Sequence, residues 1–290
     1  MTADDGTTSP AVKWLRWGGY ALLLAALVYC ALALWDLGTD AVVERFSLTL
    51  WSQIAVAAIA YGAALALLAA GWLTIAVKGA TGGAAERGPA RMLAIYGPAV
   101  IAKYIPGSVF QYGSRQLNGA RYGLSQGAML RASVVEAAIH VPMALLCAAV
   151  LISGGGWIGL VLVVAAGGAI VRFVEAPTLR AGGYQMAFFA CFALVILMLA
   201  DVGIAANDPG RLAAIFMVAW AAGFVVPIAP GGIGVRETAL IAMASPSEDM
   251  AIIATFALVT RLVTTMGDGL MGFAGYSLLV SRRSNRQASA

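Results

Sequence analysis

The sequence predicts an all-α polytopic membrane protein with about six full spans and two broken or re-entrant helical elements. Of its 290 residues, 61% are hydrophobic and only 11% are charged. A soluble domain usually carries about 25% charged residues, so this composition argues against an ordinary water-soluble fold. Several apolar stretches reach the length of about 20 residues that a transmembrane helix needs. Two more are interrupted by Pro-Gly near the middle, which predicts helices that enter the membrane, unwind and return.

Six uninterrupted apolar stretches predict the full spans. They cover residues 14–35, 50–77, 126–152, 157–174, 184–204 and 251–280. The first resembles a secretory signal because Lys13 precedes it and Arg16 lies at its start. At about 22 residues, however, it is longer than the core of such a signal, and we expect it to be retained as a helix.

The two broken stretches cover residues 92–115 and 211–244. The first is interrupted at Tyr104-Ile105-Pro106-Gly107 and the second by the Pro-Ile-Ala-Pro-Gly-Gly run at 227–232. Proline removes a backbone donor and glycine weakens a helix, so an uninterrupted span through either break is disfavoured. For 211–244 two full spans are an alternative, because arms of about 14 to 17 residues are at the limit of what crosses a membrane.

The positive residues assign an orientation. The side predicted to be cytoplasmic collects, in the connections and at the span ends, Lys13, Arg16, Lys78, Arg87, Arg91, Arg115, Arg121, Arg131, Arg172, Arg180, Arg282, Arg283 and Arg286. The opposite loops hold only Arg45 and Arg211, together with six carboxylates. By the positive-inside rule both termini are cytoplasmic. We therefore expect three parts: a cytoplasmic tail (1–12), one transmembrane domain (13–281) and a basic cytoplasmic tail (282–290).

The order of elements suggests an internal repeat. The halves 13–154 and 155–281 each contain two spans, a broken element and a third span. Because the broken elements enter from opposite sides, this order is typical of inverted-topology repeats, whose substrate sites lie near the midplane.

The second break carries the strongest candidate site. Gly231 and Gly232 allow a close approach of the backbone to a ligand, and Arg236 and Glu237 follow them. The helix that starts here directs free N–H groups towards the break, with Arg236 expected about a turn and a half into it. These features indicate a phosphate or lipid-headgroup site, or alternatively a glycine-rich turn whose charges pair for packing.

Other ionisable residues fall inside the apolar stretches. Glu136 and His140 are four residues apart and Arg261 and Asp268 are seven apart, so each pair shares a helix face. With Arg236 and Glu237 they form either a buried ion-pair network that fixes helix register or a set of arginines that exchange carboxylates for a substrate phosphate.

The first break adds two further cations. Lys103 is expected at the unwound tip of the broken element. Arg115 lies about 13 Å along the returning helix, where it meets inner-leaflet headgroups or anchors the interface.

Signatures of soluble-enzyme chemistry are missing from the sequence. It contains no Walker-type loop and no H-E-x-x-H, and His140 is the only histidine. The cysteines, Cys30, Cys147 and Cys191, all lie in apolar runs and are interpreted as small hydrophobic residues. We therefore expect no catalytic residue, metal, cofactor or nucleic-acid partner.

The two broken motifs resemble the flippase-like integral membrane family, which includes the transmembrane region of lysylphosphatidylglycerol synthase. The resemblance covers about residues 15–280 and rests on Tyr104-Ile105-Pro106-Gly107, Arg115, Glu136 and the run Pro230-Gly231-Gly232-Ile233-Gly234-Val235-Arg236-Glu237. It implies that a phosphate-bearing lipid is moved between leaflets and that Arg115, Glu136, Arg236 and Glu237 contact its headgroup. The chain lacks a soluble aminoacyl-transferring domain, so lysine transfer is not implied.

The leading hypothesis is translocation of a phospholipid or a polyprenyl-phosphate-linked glycolipid across a bacterial inner membrane. The expected partners are a lipid with an anionic headgroup, a glycosyltransferase and a second copy of the chain. Two alternatives stay open. One is a membrane glycosyltransferase, or its accessory subunit, that uses a polyprenyl-phosphate donor, and the other is an ion-coupled carrier of a small anion.

Overall fold

The computed structural model describes residues 46–78, 80, 88–105, 109–226, 229–244 and 249–288. The stretch predicted as the first span, 14–35, and the predicted tail, 1–12, lie outside the described residues, as do the Pro106-Gly107 and Pro227-Ile228 steps of the two breaks. Within the described ranges the secondary structure is helical and no strand is present.

The helices are numbered here in chain order. They are α1 (Leu48–Ala76), α2 (Pro89–Ala102), α3 (Val109–Ala120), α4 (Gln126–Ile152), α5 (Gly156–Phe173), α6 (Pro177–Met198), α7 (Pro209–Val225), α8 (Val235–Met243) and α9 (Met250–Ala288). A π-helical turn, Leu199–Gly203, continues α6, and a 3-10 turn, Pro230–Gly232, precedes α8.

Five of these helices are long and apolar enough to cross a membrane, namely α1, α4, α5, α6 with its π-helical turn, and α9. They correspond to the last five predicted spans and indicate a helical, multi-pass membrane protein. Three of the five start and end within two residues of the prediction. The fourth, α6, begins at Pro177 rather than at 184, because proline at the first helical position is preorganised for a helix start. The fifth, α9, extends to Ala288 and so includes most of the predicted basic tail.

The two interrupted stretches form helix–break–helix units. Helix α2 packs against α3, and α7 packs against α8. These arms have 14, 12, 17 and 9 residues. At about 1.5 Å per residue they measure roughly 14 to 26 Å, less than the hydrocarbon thickness of about 30 Å.

Glycine contacts bring the long helices together. A Cβ added to Gly62 of α1 would lie 3.0 Å from the carbonyl oxygen of Gly267 of α9. One added to Gly97 of α2 would lie 2.6 Å from the carbonyl oxygen of Met271 on the same α9. Close backbone approach through small residues is how helices commonly associate in lipid, so α9 is held against both α1 and α2 without intervening side chains.

The two breaks meet in space. Gly231, Gly232 and Gly234 have positive φ angles of 59°, 72° and 83°, a region that favours glycine, and this unwinds the chain ahead of α8. A Cβ placed on Gly231 would lie 3.1 Å from the ring of Tyr104, which belongs to the first break. The unwound segments are therefore in direct contact.

Candidate functional site

A cavity of about 220 Å³, partly open to the outside, lies where the two breaks meet. Its wall combines the glycines of the second break with charged residues and aromatic rings from several helices. The charged and polar members are Lys103, Gln111, Arg115, Glu136, His140 and Arg236, and the aromatic members are Tyr61, Tyr96, Tyr112, Phe188, Trp220 and Phe224. Residues distant in sequence thus converge on one small space.

Arg115 and Glu136 form a buried ion pair on one side of this cavity. Arg115 Nη1 lies 3.0 Å from each carboxylate oxygen, and the two side chains are only 4% and 7% exposed. Tyr96 donates a hydrogen bond of 2.9 Å to the same carboxylate, and its ring lies 4.0 Å beneath the Arg115 guanidinium. Arg115 is thus buried, because α3 turns this residue inward against α4.

Glu136 and His140 share a helix face as expected, but their side chains do not pair. His140 Nδ1 lies 2.9 Å from the backbone oxygen of Glu136 and 2.8 Å from Gln185 Oε1. The imidazole stacks on Phe224 at 4.8 Å between ring centroids. These contacts fix the orientation of the ring at the cavity wall.

Lys103 and Asp268 form a second ion pair. Lys103 Nζ lies 2.7 Å from an oxygen of the Asp268 carboxylate, which is fully buried. Tyr104 donates a hydrogen bond of 2.6 Å to the same carboxylate, and Tyr61 donates a longer one of 3.3 Å. Asp268 thereby connects the first break to α1 and α9.

Arg261 and Glu237 form the third pair. Arg261 Nη2 and Nε lie 2.5 and 3.1 Å from Glu237 Oε1, and Nη1 donates to the backbone oxygen of Gly231 at 3.1 Å. The other carboxylate oxygen accepts from the Gly234 amide at 2.8 Å, which caps the start of α8. Arg261 and Asp268 therefore take different partners although both lie on α9.

Arg236 differs from the other three cations. It is the second residue of α8, not a turn and a half into it, because the positive φ angles of the glycines delay the helix start. Its guanidinium lies 5.3 Å from the centroid of the Trp220 ring, and its Nε is buried without a hydrogen-bond partner. Among the described residues no carboxylate forms an ion pair with it.

The charges around the cavity consequently do not cancel. At or beside the cavity, the described part of the chain has four cations and three carboxylates, and each carboxylate already holds one cation. Arg261, Glu237 and Asp268 lie beside the cavity and not on its wall. The set has one formal positive charge in excess, located on Arg236. An unpaired cation is costly inside a membrane protein, so this geometry favours an anion in the cavity.

Several residues of the site were not predicted as site residues, although Tyr104 belonged to the motif at the first break. Tyr61, Tyr96 and Tyr104 donate to the buried carboxylates, Gln185 holds His140, and Trp220 lies beneath Arg236. A buried tyrosine hydroxyl needs a polar partner, so the tyrosines within apolar stretches were a usable signal. No comparable signal distinguishes Gln185 or Trp220 from packing residues.

Within the described ranges, no group of three or more histidine, cysteine, aspartate or glutamate side chains is placed to hold a metal ion. The polar groups of the cavity can instead bind charge and hydrogen-bonding groups of a ligand.

No protein-family model, curated protein or solved structure matches the chain. The function is therefore inferred from the geometry of the cavity and from the pattern of helices around it.

Proposed function

We propose that this protein moves a lipid with a phosphate headgroup between the leaflets of a bacterial inner membrane. The observation that carries the proposal is Arg236, a cation on the cavity wall that has no carboxylate partner among the described residues. A guanidinium offers a planar fork of donors that matches two phosphate oxygens, and the adjacent start of α8 adds partial positive charge. The motif resemblance to the flippase-like family implies the same substrate class.

The size of the cavity supports entry of a headgroup alone. At about 220 Å³ it is smaller than the range of roughly 300 to 1,000 Å³ typical of pockets that enclose a whole small-molecule ligand. In this proposal the phosphate lies beside Arg236, while the acyl or prenyl chains stay among the membrane lipids. The exposed apolar side chains of the surrounding helices are compatible with that position.

The helix arrangement supports alternating access to the cavity. In the proposed topology both termini are cytoplasmic and the units α2–α3 and α7–α8 enter from opposite sides. Their tips meet where Tyr104 touches Gly231. A relative movement of the two halves around this point would expose the cavity to one leaflet and then to the other.

Lipid exchange in proteoliposomes tests the proposal. The readout is the rate at which a fluorescent phospholipid in the inner leaflet becomes accessible to a quencher outside. Arg236→Gln removes the unpaired charge at similar size, and we expect its rate to fall at least about tenfold, as for loss of a close charge contact. Arg172→Gln, which removes an exposed cation from the end of α5, is the matched control and is expected to exchange normally.

Exchange by Arg236→Gln at the rate of the unchanged protein would remove Arg236 from the mechanism. The free energy of unfolding of each variant, measured in detergent, shows whether a slow rate reflects loss of the fold.

The same observations favour one other function, the transport of a small water-soluble anion. An unpaired arginine in a cavity of about 220 Å³ is suited to inorganic phosphate as well as to a headgroup. Saturable uptake of radiolabelled phosphate into proteoliposomes, without exchange of labelled lipid, would support this function over the first.

A further inference from the structure

We infer that the site selects a singly charged phosphodiester whose headgroup carries a hydroxyl, and that it discriminates against phosphate monoesters and diphosphates. This inference rests on the proposed function and gives its substrate a charge and a chemical class. Two separate observations support it. One is the balance of charges at the cavity, and the other is the orientation of His140.

The charge balance leaves Arg236 as the cation in excess among the described side chains at the cavity. Arg236 neutralises one negative charge, which is the charge of a phosphodiester. A phosphate monoester carries about two negative charges above pH 7, and its second charge would need a second cation.

The other three cations are already engaged. Asp268 holds Lys103 and accepts from two tyrosines, and Glu136 holds Arg115 and accepts from Tyr96. Glu237 holds Arg261 and also caps α8 through the amide of Gly234. Withdrawing any of these cations would leave a buried carboxylate, or for Glu237 a half-buried one, without its counter-charge, which is unfavourable. The monoanion therefore fits without disrupting an existing pair.

His140 supplies a hydrogen-bond acceptor to the same cavity. Its Nδ1 lies within 2.9 Å of two oxygens, the backbone oxygen of Glu136 and Gln185 Oε1. Gln185 Nε2 donates to the Glu136 oxygen at 3.3 Å, which orients the amide so that its oxygen faces the imidazole. Since both neighbours of Nδ1 accept, the ring proton is assigned to Nδ1.

The remaining ring nitrogen, Nε2, is then an acceptor without a hydrogen bond to any described residue. This nitrogen is not fully buried, and His140 lies on the cavity wall. A hydroxyl on the headgroup can donate to it, whereas an ether or alkyl group cannot. His140 is thus the specificity-determining residue in this proposal, and Gln185 is a positioning residue.

Binding to the purified full-length chain in detergent tests the charge selection. The probes are dihexanoyl phosphatidylglycerol, a hydroxylated diester; dihexanoyl phosphatidylethanol, a diester without a headgroup hydroxyl; and dihexanoyl phosphatidic acid, a monoester, all at pH 8. Titration is followed through tryptophan fluorescence, since Trp220 lines the cavity. We expect affinity to decrease in that order, with the monoester at least about tenfold weaker than phosphatidylglycerol. A monoester that binds as tightly as phosphatidylglycerol would overturn the inference.

Two charge variants test the same charge argument by changing the protein instead of the lipid. Asp268→Asn keeps the shape of the side chain and releases Lys103, so the site gains a second uncompensated cation. We expect the affinity ratio of phosphatidylglycerol to phosphatidic acid to fall at least about tenfold. Glu237→Gln releases Arg261 and is expected to change the ratio in the same direction if Asp268→Asn fails to fold. An unchanged ratio in the folded variants would contradict the charge argument, and Arg172→Gln is the control.

A variant of His140 tests whether this residue accepts a hydrogen bond from the headgroup hydroxyl. His140→Phe keeps an aromatic ring against Phe224 and removes the acceptor. We expect it to bring phosphatidylglycerol and phosphatidylethanol to equal affinity. A preference for phosphatidylglycerol that persists in this variant would exclude His140 as the hydroxyl acceptor.

Two further arms separate this inference from the proposed function. Water-soluble glycerophosphoglycerol shows whether the diester alone is sufficient or whether its chains are needed. Selective binding without lipid exchange in proteoliposomes would retain the substrate class and contradict translocation. Lipid exchange without charge preference would support translocation and contradict the inferred substrate class.

Discussion

Gly223 of α7 lies directly against the side chain of Arg236. A Cβ added at Gly223 would lie 2.6 Å from Arg236 Cγ, and one added at Gly232 would lie 2.7 Å from Arg236 Nε. The Arg236 side chain thus passes between two glycine backbones before it reaches Trp220. These glycines leave the space that positions the unpaired cation.

Substitution of Gly223 by alanine tests this relationship. Alanine usually stabilises a helix interior by about 0.5 to 1 kcal/mol relative to glycine, but here the added methyl group displaces Arg236. We expect Gly223→Ala to weaken binding of dihexanoyl phosphatidylglycerol by about tenfold, measured by tryptophan fluorescence, as displacement of a close charge contact would.

Gly168→Ala is the control for Gly223→Ala. Gly168 is a helical glycine with nothing within 4 Å of an added Cβ, so affinity should be unaffected there. Equal affinity in both variants would show that the space beside Arg236 is not needed for binding.

The Arg115–Glu136 pair is expected to contribute to stability. Glu136→Gln leaves a buried guanidinium without its counter-charge, and such a loss lowers the free energy of unfolding by about 3 to 5 kcal/mol in soluble proteins. The double variant Arg115→Met, Glu136→Leu removes both charges and should recover most of this loss. Unfolding in mixed micelles measures both, and a double variant no more stable than Glu136→Gln would argue against the pair as the cause.

The two tyrosines that donate to Asp268 are expected to contribute different amounts to the free energy of unfolding. Tyr104 donates at 2.6 Å and Tyr61 at 3.3 Å, so Tyr104 forms the stronger bond to the carboxylate. Tyr104→Phe should lower the free energy of unfolding by about 1.5 to 3 kcal/mol, and Tyr61→Phe by less. A larger effect at Tyr61 would contradict the geometry described for Asp268.

The contact between α2 and α9 gives a prediction about packing. A methyl group at Gly97 would lie 2.6 Å from the Met271 carbonyl oxygen, so Gly97→Ala should separate the two helices and destabilise the protein by about 1 to 3 kcal/mol. Gly113→Ala on α3 is the matched control, since an added Cβ there has nothing within 4 Å. Thermal unfolding in detergent should show a lower midpoint for Gly97→Ala alone.

Hydrophobic length was sufficient to predict the long helices. The stretch predicted at 126–152 coincides with α4, and the one predicted at 50–77 differs from α1 by two residues or fewer at each end. Both breaks were also recognisable, because proline and glycine act locally on the backbone. The position of Arg236 was not, since it depends on the positive φ angles of Gly231, Gly232 and Gly234, which delay α8.

The ion-pair partners could not be predicted from the spacing of residues along each helix. Helical spacing correctly placed Glu136 with His140 and Arg261 with Asp268 on shared faces. Their counter-charges, however, come from other helices, as when Arg115 reaches Glu136 and Lys103 reaches Asp268. Tertiary packing decides such pairs, and one sequence contains no signal for which helices become neighbours.

The excess positive charge around the cavity also has an electrical consequence. In the proposed alternating access the cavity stays in place, so the charge that crosses the membrane is the single negative charge of the phosphodiester. At a potential of 100 mV its passage from one leaflet to the other involves about 2.3 kcal/mol. Arg236 neutralises this charge only while the headgroup is in the cavity, so membrane voltage would bias the direction of net lipid movement.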